Sequence, residues 1–347
     1  MRRGKQYIFL FCLILAGSLL GLMAAEVAVR VLAPHSRDHV IPTGFFQIDD
    51  DLGWKLAAGK SVNHRSRYFD TTYTTNSLGF RDKERQLVKG ENIHRILLYG
   101  DSRVFGWGVD REKRFSNLSE AGRPSLEIWN LGVPGYGLGQ EIISYEKNGS
   151  SLNADEIILF VSRATLDRTR YDYQYKKHKP KFVLDDDGEL TIKPVPKQSY
   201  TRTRLLYRVL SPLYLPYFLE LRLKILKETL RKSDPAADDG AGPILGEIQK
   251  AMLLRAKKAA VENSHRLTVL ASHSRMKIEG LQEFCEEAGI GYIEIDSGGE
   301  EPENLVFGKR DLHWNPRANE LIARQLVADH HIGRAFRSEQ APGIPDG

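Results

Sequence analysis

The sequence predicts an α/β protein: a three-layer α/β/α domain on a parallel sheet of about five strands, preceded by an N-terminal transmembrane helix. Three observations predict it. From residue 93 onward, short apolar runs alternate with helical stretches, the pattern of parallel crossover units. The run 157–161 is continuously apolar, as a strand covered on both faces must be. Residues 7–25 carry no charge, and as a helix they would span about 28 Å, close to one bilayer core.

The N-terminal run follows Arg2, Arg3 and Lys5, which fits the positive-inside rule. A cleaved signal peptide is the rival reading, because residues 22–25 offer small side chains near a cleavage point. The run is longer than a usual signal core and resumes after Glu26, which favours an uncleaved anchor over residues 1–33. Cys12 follows Phe11, so there is no lipobox. Both readings put the remainder outside the cytoplasm. The expected location is the inner membrane, single-pass, with the main domain facing the periplasm or exterior; the alternative is secretion after cleavage.

Residues 34–92 read as an extended lead-in packed on the main domain, with strand alternation at 68–75 and a turn at 76–82. Strands are expected at 96–99, 126–130 and 157–161, and helices at 114–121 and 139–147. Order then breaks. A hairpin is expected around Asp185, Asp186, Asp187 and Gly188. The basic, apolar stretch 205–232 has helical spacing interrupted at Pro212 and Pro216, and 235–242 reads as a loop. The strand–helix pattern resumes with a helix at 248–264, a strand at 267–271, a helix at 280–288 and a strand at 292–295. A last helix, 316–327, has Pro316 in its first turn. The main domain is thus expected over 93–332, with an insertion at about 176–260 and a tail at 333–347.

With 347 residues and 41% hydrophobic content, the chain is long enough for one large domain with insertions. Lys and Arg (50) nearly balance Asp and Glu (45), so a nucleic-acid binder is not expected. Two cysteines make no disulfide framework; Cys285 reads as a small core residue. No zinc or nucleotide motif occurs, His330 and His331 read as surface, and no cofactor or metal is expected.

Two short motifs carry chemistry. Gly100-Asp101-Ser102 closes the first buried strand, at the carboxyl edge where open α/β sheets place ligands. Asp311-Leu312-His313 precedes the last helix on the same sheet edge. A serine hydroxyl is a weak nucleophile until a base takes its proton. Ser102 as nucleophile, His313 as base and Asp311 as the orienting acid would supply the parts of a triad. The glycine-rich loop 130–137 would let backbone N–H groups approach an oxyanion, though a tight turn or phosphate nest reads equally well there.

With these motifs in this order, the chain resembles the bacterial SGNH hydrolases, the GDSL-type esterases and lipases. The resemblance covers about residues 93–332 and implies a flavodoxin-like three-layer fold. Gly100-Asp101-Ser102 matches the nucleophile block, Gly135 the glycine of the second block, and Asp311-Leu312-His313-Trp314-Asn315 the terminal block. Membrane-anchored members are especially similar, sharing an N-terminal anchor and stretches like 76–82 and 179–182 here. The resemblance implies that Gly135 donates an oxyanion N–H.

Two departures stand out. The family's third block supplies an asparagine to the oxyanion, but this chain reads Ser162-Arg163-Ala164-Thr165-Leu166-Asp167 there. Loss of one such donor costs about 10²–10³ in rate. Thr165, Ser162 or Arg163 would be the substitute donor. The acid and base are also spaced DxH, which resembles the alginate-acetylation-type branch and points toward carbohydrate O-acyl chemistry.

Arg103, beside the nucleophile, faces either solvent or an anionic substrate. Trp107, Tyr136 and Trp314 flank the motifs as core residues or sugar-stacking platforms. The basic run 168–232 reads as a solvated insertion, with an acidic glycan or anionic lipid headgroups as the alternative partner. The expected function is a serine-dependent acyl-ester hydrolase acting outside the cytoplasm on an O-acylated carbohydrate or lipid. The alternatives are a polysaccharide O-acetyltransferase served by a membrane acyl donor, and an inactive glycan-binding or assembly protein of exopolysaccharide export.

Overall fold

The computed structural model describes residues 2–42, 44–175, 177–196, 212–232, 245–272 and 277–328. The chain divides into two compact units, one of residues 1–43, 65–67 and 198–241, the other of the remainder.

The first unit holds helix α1 (Arg2–Leu32), whose segment Gly4–Leu32 is long and apolar enough to cross a membrane. The other elements belong mainly to the second unit. It opens with two hairpins, β1 (Phe46–Asp49) with β2 (Gly53–Leu56), and β3 (Ser61–Arg65) with β4 (Asp70–Thr74). The sequence reading has only an extended lead-in with one strand here. The missed strands are four or five residues long and interrupted by charge, so their period-2 signal is short.

The sheet begins with β5 (His94–Tyr99), followed by the short helices α2 (Ser102–Phe105) and α3 (Phe115–Glu120). Next come β6 (Leu126–Asn130), α4 (Leu138–Asn148), β7 (Glu156–Ser162) and α5 (Arg163–Asp167). Two small hairpins follow: β8 (Tyr173–Gln174) with β9 (Lys177–His178), and β10 (Lys181–Leu184) with β11 (Leu190–Lys193). The second surrounds Asp185 to Gly188, as the turn residues predict.

Helix α6 (Leu215–Lys232) belongs to the first unit. Pro216 lies in its first turn, where a missing N–H costs nothing, and does not interrupt it. Residues 205–211, the loop 235–242, His330, His331 and the tail lie outside the described residues. The second unit closes with α7 (Glu247–Glu262), β12 (Arg266–Ser272), α8 (Leu281–Glu287), β13 (Gly291–Ile295), β14 (Val306–Gly308), β15 (Asp311–Trp314) and α9 (Pro316–Ala328).

The central sheet is β13-β12-β7-β5-β6, parallel throughout. The chain lays β6 on one side of β5 and then crosses to β7 on the other. This makes the carboxyl end of β5 the topological switch point, where such sheets bind ligands. Ile96 and Leu98 face a core with Phe115, Ile128, Phe160, Ile322 and Leu326, beneath α3 and α9. On the opposite face, Tyr99 packs edge-on against Tyr145 of α4. Burial on both faces explains the unbroken apolar run of β7.

Candidate active site

Ser102 opens α2 directly beyond the switch-point strand. A Cβ on Gly100 would come within 2.3 Å of the Val104 side chain and 2.8 Å of Phe160, so only glycine lets the chain turn this sharply. Asp101 caps α2 by accepting the Arg103 N–H at 2.8 Å. Gly106 ends the helix in the left-handed region, at φ 81°.

His313 and Asp311 sit on β15, which pairs with β14 in a short antiparallel hairpin. Residues two apart on a strand share a face, which is why a DxH spacing works here. The Ser102 Oγ lies 2.8 Å from His313 Nε2, and His313 Nδ1 lies 2.7 Å from Asp311 Oδ1. Since the carboxylate only accepts, Nδ1–H donates to Asp311 and Nε2 is left to accept from Ser102. The His313 backbone N–H (3.1 Å) and Trp107 Nε1 (3.3 Å) also donate to Asp311. Burial pushes the Asp311 carboxyl up, but these donors and the imidazole outweigh it and hold it below the ordinary carboxylate range. The structure thus brings Ser102, His313 and Asp311 into one hydrogen-bonded chain.

Trp107 stacks on the His313 ring at 4.9 Å and 20°. His64 meets Trp107 edge-on and lies 3.1 Å from the Tyr73 hydroxyl, which accepts the Gly108 N–H. Arg81 donates to the carbonyls of Phe105, Gly106 and Val109 at 2.6–3.0 Å, clamping the loop that carries Trp107. This gives the 76–82 stretch a physical task. Tyr136 and Trp314 are buried in the core. The Tyr136 hydroxyl donates to the Trp54 carbonyl, and Trp314 packs on Phe115 and Phe160.

Gly135 lies in the β6–α4 loop with φ 87°. A Cβ there would strike the Tyr175 ring at 2.7 Å. Val133 N–H donates to the Gly100 carbonyl, which docks this loop on the nucleophile turn. Among the described residues, neither the Ser102 nor the Gly135 N–H donates to a protein acceptor.

Thr165 is a correction to the sequence reading. Its buried hydroxyl accepts the Ser162 N–H and donates to the Ser162 carbonyl, while Ser162 Oγ accepts the Thr165 N–H. Both side chains are committed to capping α5. The Arg163 side chain is largely exposed beside Asp167.

The residue that sequence reasoning missed is Arg168. Its Nη1 donates to Asp101 Oδ2 and to the Tyr136 carbonyl, each at 2.8 Å, so one nitrogen joins the nucleophile turn to the Gly135 loop. A Cβ on Gly137 would come within 2.8 Å of Arg168 Cβ, and Lys179 Nζ donates to the Arg168 carbonyl. Burial raises the Asp101 carboxyl, but Arg168 and Arg103 outweigh it and depress it. Arg103 lies over the Trp314 ring at 5.6 Å, and its guanidinium has no hydrogen-bonded partner among the described residues.

Behind this pair, Glu141 is fully buried with neither carboxyl oxygen hydrogen-bonded. Burial, then the neighbouring Asp101, raise its pKa well above the usual value. In the unfolded chain it ionises above about pH 4.3. Ionisation therefore favours unfolding increasingly as pH rises past that point. Glu141→Gln is expected to raise the melting temperature at pH 7, with the gain vanishing near pH 4 in thermal melts of the detergent-solubilised chain. A variant that melts below the wild type at pH 7 would contradict this.

No family model matches the chain, and no curated protein does. Solved structures similar to it include a lipolytic protein of the G-D-S-L family from Veillonella parvula DSM 2008, at 14% identity and TM-score 0.36, covering 69% of this chain and 99% of that one. The psychrotrophic esterase EstA from Pseudoalteromonas sp. is similar at 10% identity and TM-score 0.38, covering 70% and 99%. The acetyl xylan esterase AlAXEase is similar at 11% identity and TM-score 0.37, covering 68% and 100%.

Proposed function

We propose that this chain is a serine-dependent acyl-ester hydrolase of the SGNH type, acting outside the cytoplasm on an O-acylated carbohydrate or lipid. The observation that carries the reading is the chain of contacts Ser102–His313–Asp311, at 2.8 and 2.7 Å, at the switch point of the sheet. Ser102 Oγ attacks the ester carbonyl while His313 Nε2 takes its proton. The N–H groups of Ser102 and Gly135 receive the developing oxyanion. His313 then protonates the departing alcohol, and water, activated by the same imidazole, releases the acid and frees Ser102. Arg103 offers its guanidinium to an acidic group on the substrate.

The membrane part of the reading rests on α1. It runs as one helix through Ala24 and Ala25, the candidate cleavage point, and most of its apolar residues are exposed. It serves as an uncleaved anchor with its basic N-terminus inside.

The test is active-site labelling of the full chain in detergent with a fluorophosphonate. Labelling of Ser102, located by peptide mass, is the expected result, together with faster turnover of 4-acetoxybenzoate than of its methyl ester. No labelling and no ester turnover would overturn the hydrolase reading. Labelling with equal turnover of the two esters would overturn the role given to Arg103 alone.

A further inference from the structure

Among the described residues, helix α6 presents two apolar faces, one partly buried and one exposed. Tyr217, Leu221 and Ile225 are partly buried on one face. Leu219, Leu223 and Leu226 are 51%, 58% and 54% exposed. At 100° per residue these three fall within about 60° of arc, opposite the first face. Exposed Glu220 and Arg222 lie on the two flanks of the leucine stripe. A stripe of leucine with charged flanks is the pattern of a helix lying in a membrane interface, with the charges limiting its depth.

The same unit holds α1, the helix long and apolar enough to cross a membrane. The start of α6 is tied to α1, because Glu26 accepts the backbone N–H groups of Tyr214 and Leu215 at 2.9–3.0 Å. Glu26 also accepts Arg30 Nε at 2.7 Å. Arg30 and Arg37 donate to the Pro212 carbonyl and lie over the Tyr214 ring. Arg37 also lies over Tyr217. Tyrosine at the end of an apolar helix settles at the headgroup level, and arginine beside it can lay its stem on apolar surface with its charge in the polar layer. The leucine stripe therefore begins where the span ends.

We propose that α6 is an interfacial helix whose Leu219, Leu223 and Leu226 face is immersed in the outer surface of the bilayer that α1 crosses. Its ligand is the lipid surface itself. The proposal rests on α1 being a membrane anchor.

The test uses one labelled cysteine at a time in the full chain. Cys12 is replaced by serine; Cys285 stays, since it is buried and burial pushes its thiol up to about 12, out of reach of labelling. Leu223→Cys, Leu15→Cys and Ser151→Cys each carry an environment-sensitive fluorophore in vesicles of phosphatidylcholine and phosphatidylglycerol with nitroxide-labelled lipid. The expected result is quenching at positions 15 and 223 and none at 151. Quenching at 15 with position 223 behaving like 151 would overturn the α6 proposal and leave the anchor standing. No quenching at position 15 would overturn the anchor reading and this proposal with it.

Discussion

Replacing Asp311 by asparagine is expected to lower kcat on an activated ester by about 10⁴-fold while leaving KM nearly unchanged. Asp311 accepts three donors: the His313 ring, the His313 backbone and Trp107. An asparagine fits the same space, but its amide can present an N–H to Nδ1. The imidazole then turns its lone pair toward residue 311 and its proton toward Ser102. A base that already carries a proton at Nε2 cannot take one from the serine. Asp311→Asn also removes the charge that stabilises the imidazolium formed in the transition state. Stopped-flow or steady-state hydrolysis of a nitrophenyl ester by the solubilised chain checks this. A variant within tenfold of the wild type would remove Asp311 from the mechanism. Trp107, stacked on the ring, would then be left as the orienting group.

The turn at Gly100-Asp101-Ser102 was legible in the sequence because it is local: the tripeptide must end a strand. The strand β15 was not expected; on it the two-residue spacing sets Asp311 and His313 on one face. The crossover helices α4 and α7 were legible because their apolar spacing extends over about three turns or more; α3 and α8 are only six and seven residues long and were legible from their place between strand runs. The brace around the site was not. Arg168 meets Asp101 across 67 positions, and Trp107 meets Asp311 across 204. Nothing in local pattern distinguishes Arg168 from Arg163 or Arg170; its place is set by the turn after α5 and by the lack of a side chain at Gly137. Thr165 was misread for a related reason. Its spacing from Ser162 fits a helix cap as well as a catalytic donor, and only the fold decides between them.

Arg168→Met is expected to destabilise the folded chain by about 3–5 kcal/mol, because it strands the buried Asp101 carboxylate without its ion partner. The pH dependence identifies the cause. In the wild type the folded Asp101 carboxyl is depressed, so its contribution is present above the unfolded value near 3.9 and is lost as pH falls through the folded value. The wild-type and variant melting temperatures should therefore converge below about pH 4. Activity should fall as well, by an amount near that of one lost oxyanion donor, about 10²–10³. The reason is that one Nη1 holds both loops that carry the Ser102 and Gly135 N–H groups. Asp101→Asn separates the two effects. It removes the charge and leaves the Arg168–Tyr136 bond intact, while its single oxygen can accept from only one of Arg168 and the Arg103 N–H, so the Gly135 loop stays held and kcat should suffer less than in Arg168→Met. Equal losses of kcat in the two variants would mean that the charge pair alone matters. A wild-type rate in Arg168→Met would mean that the two loops hold their geometry without it.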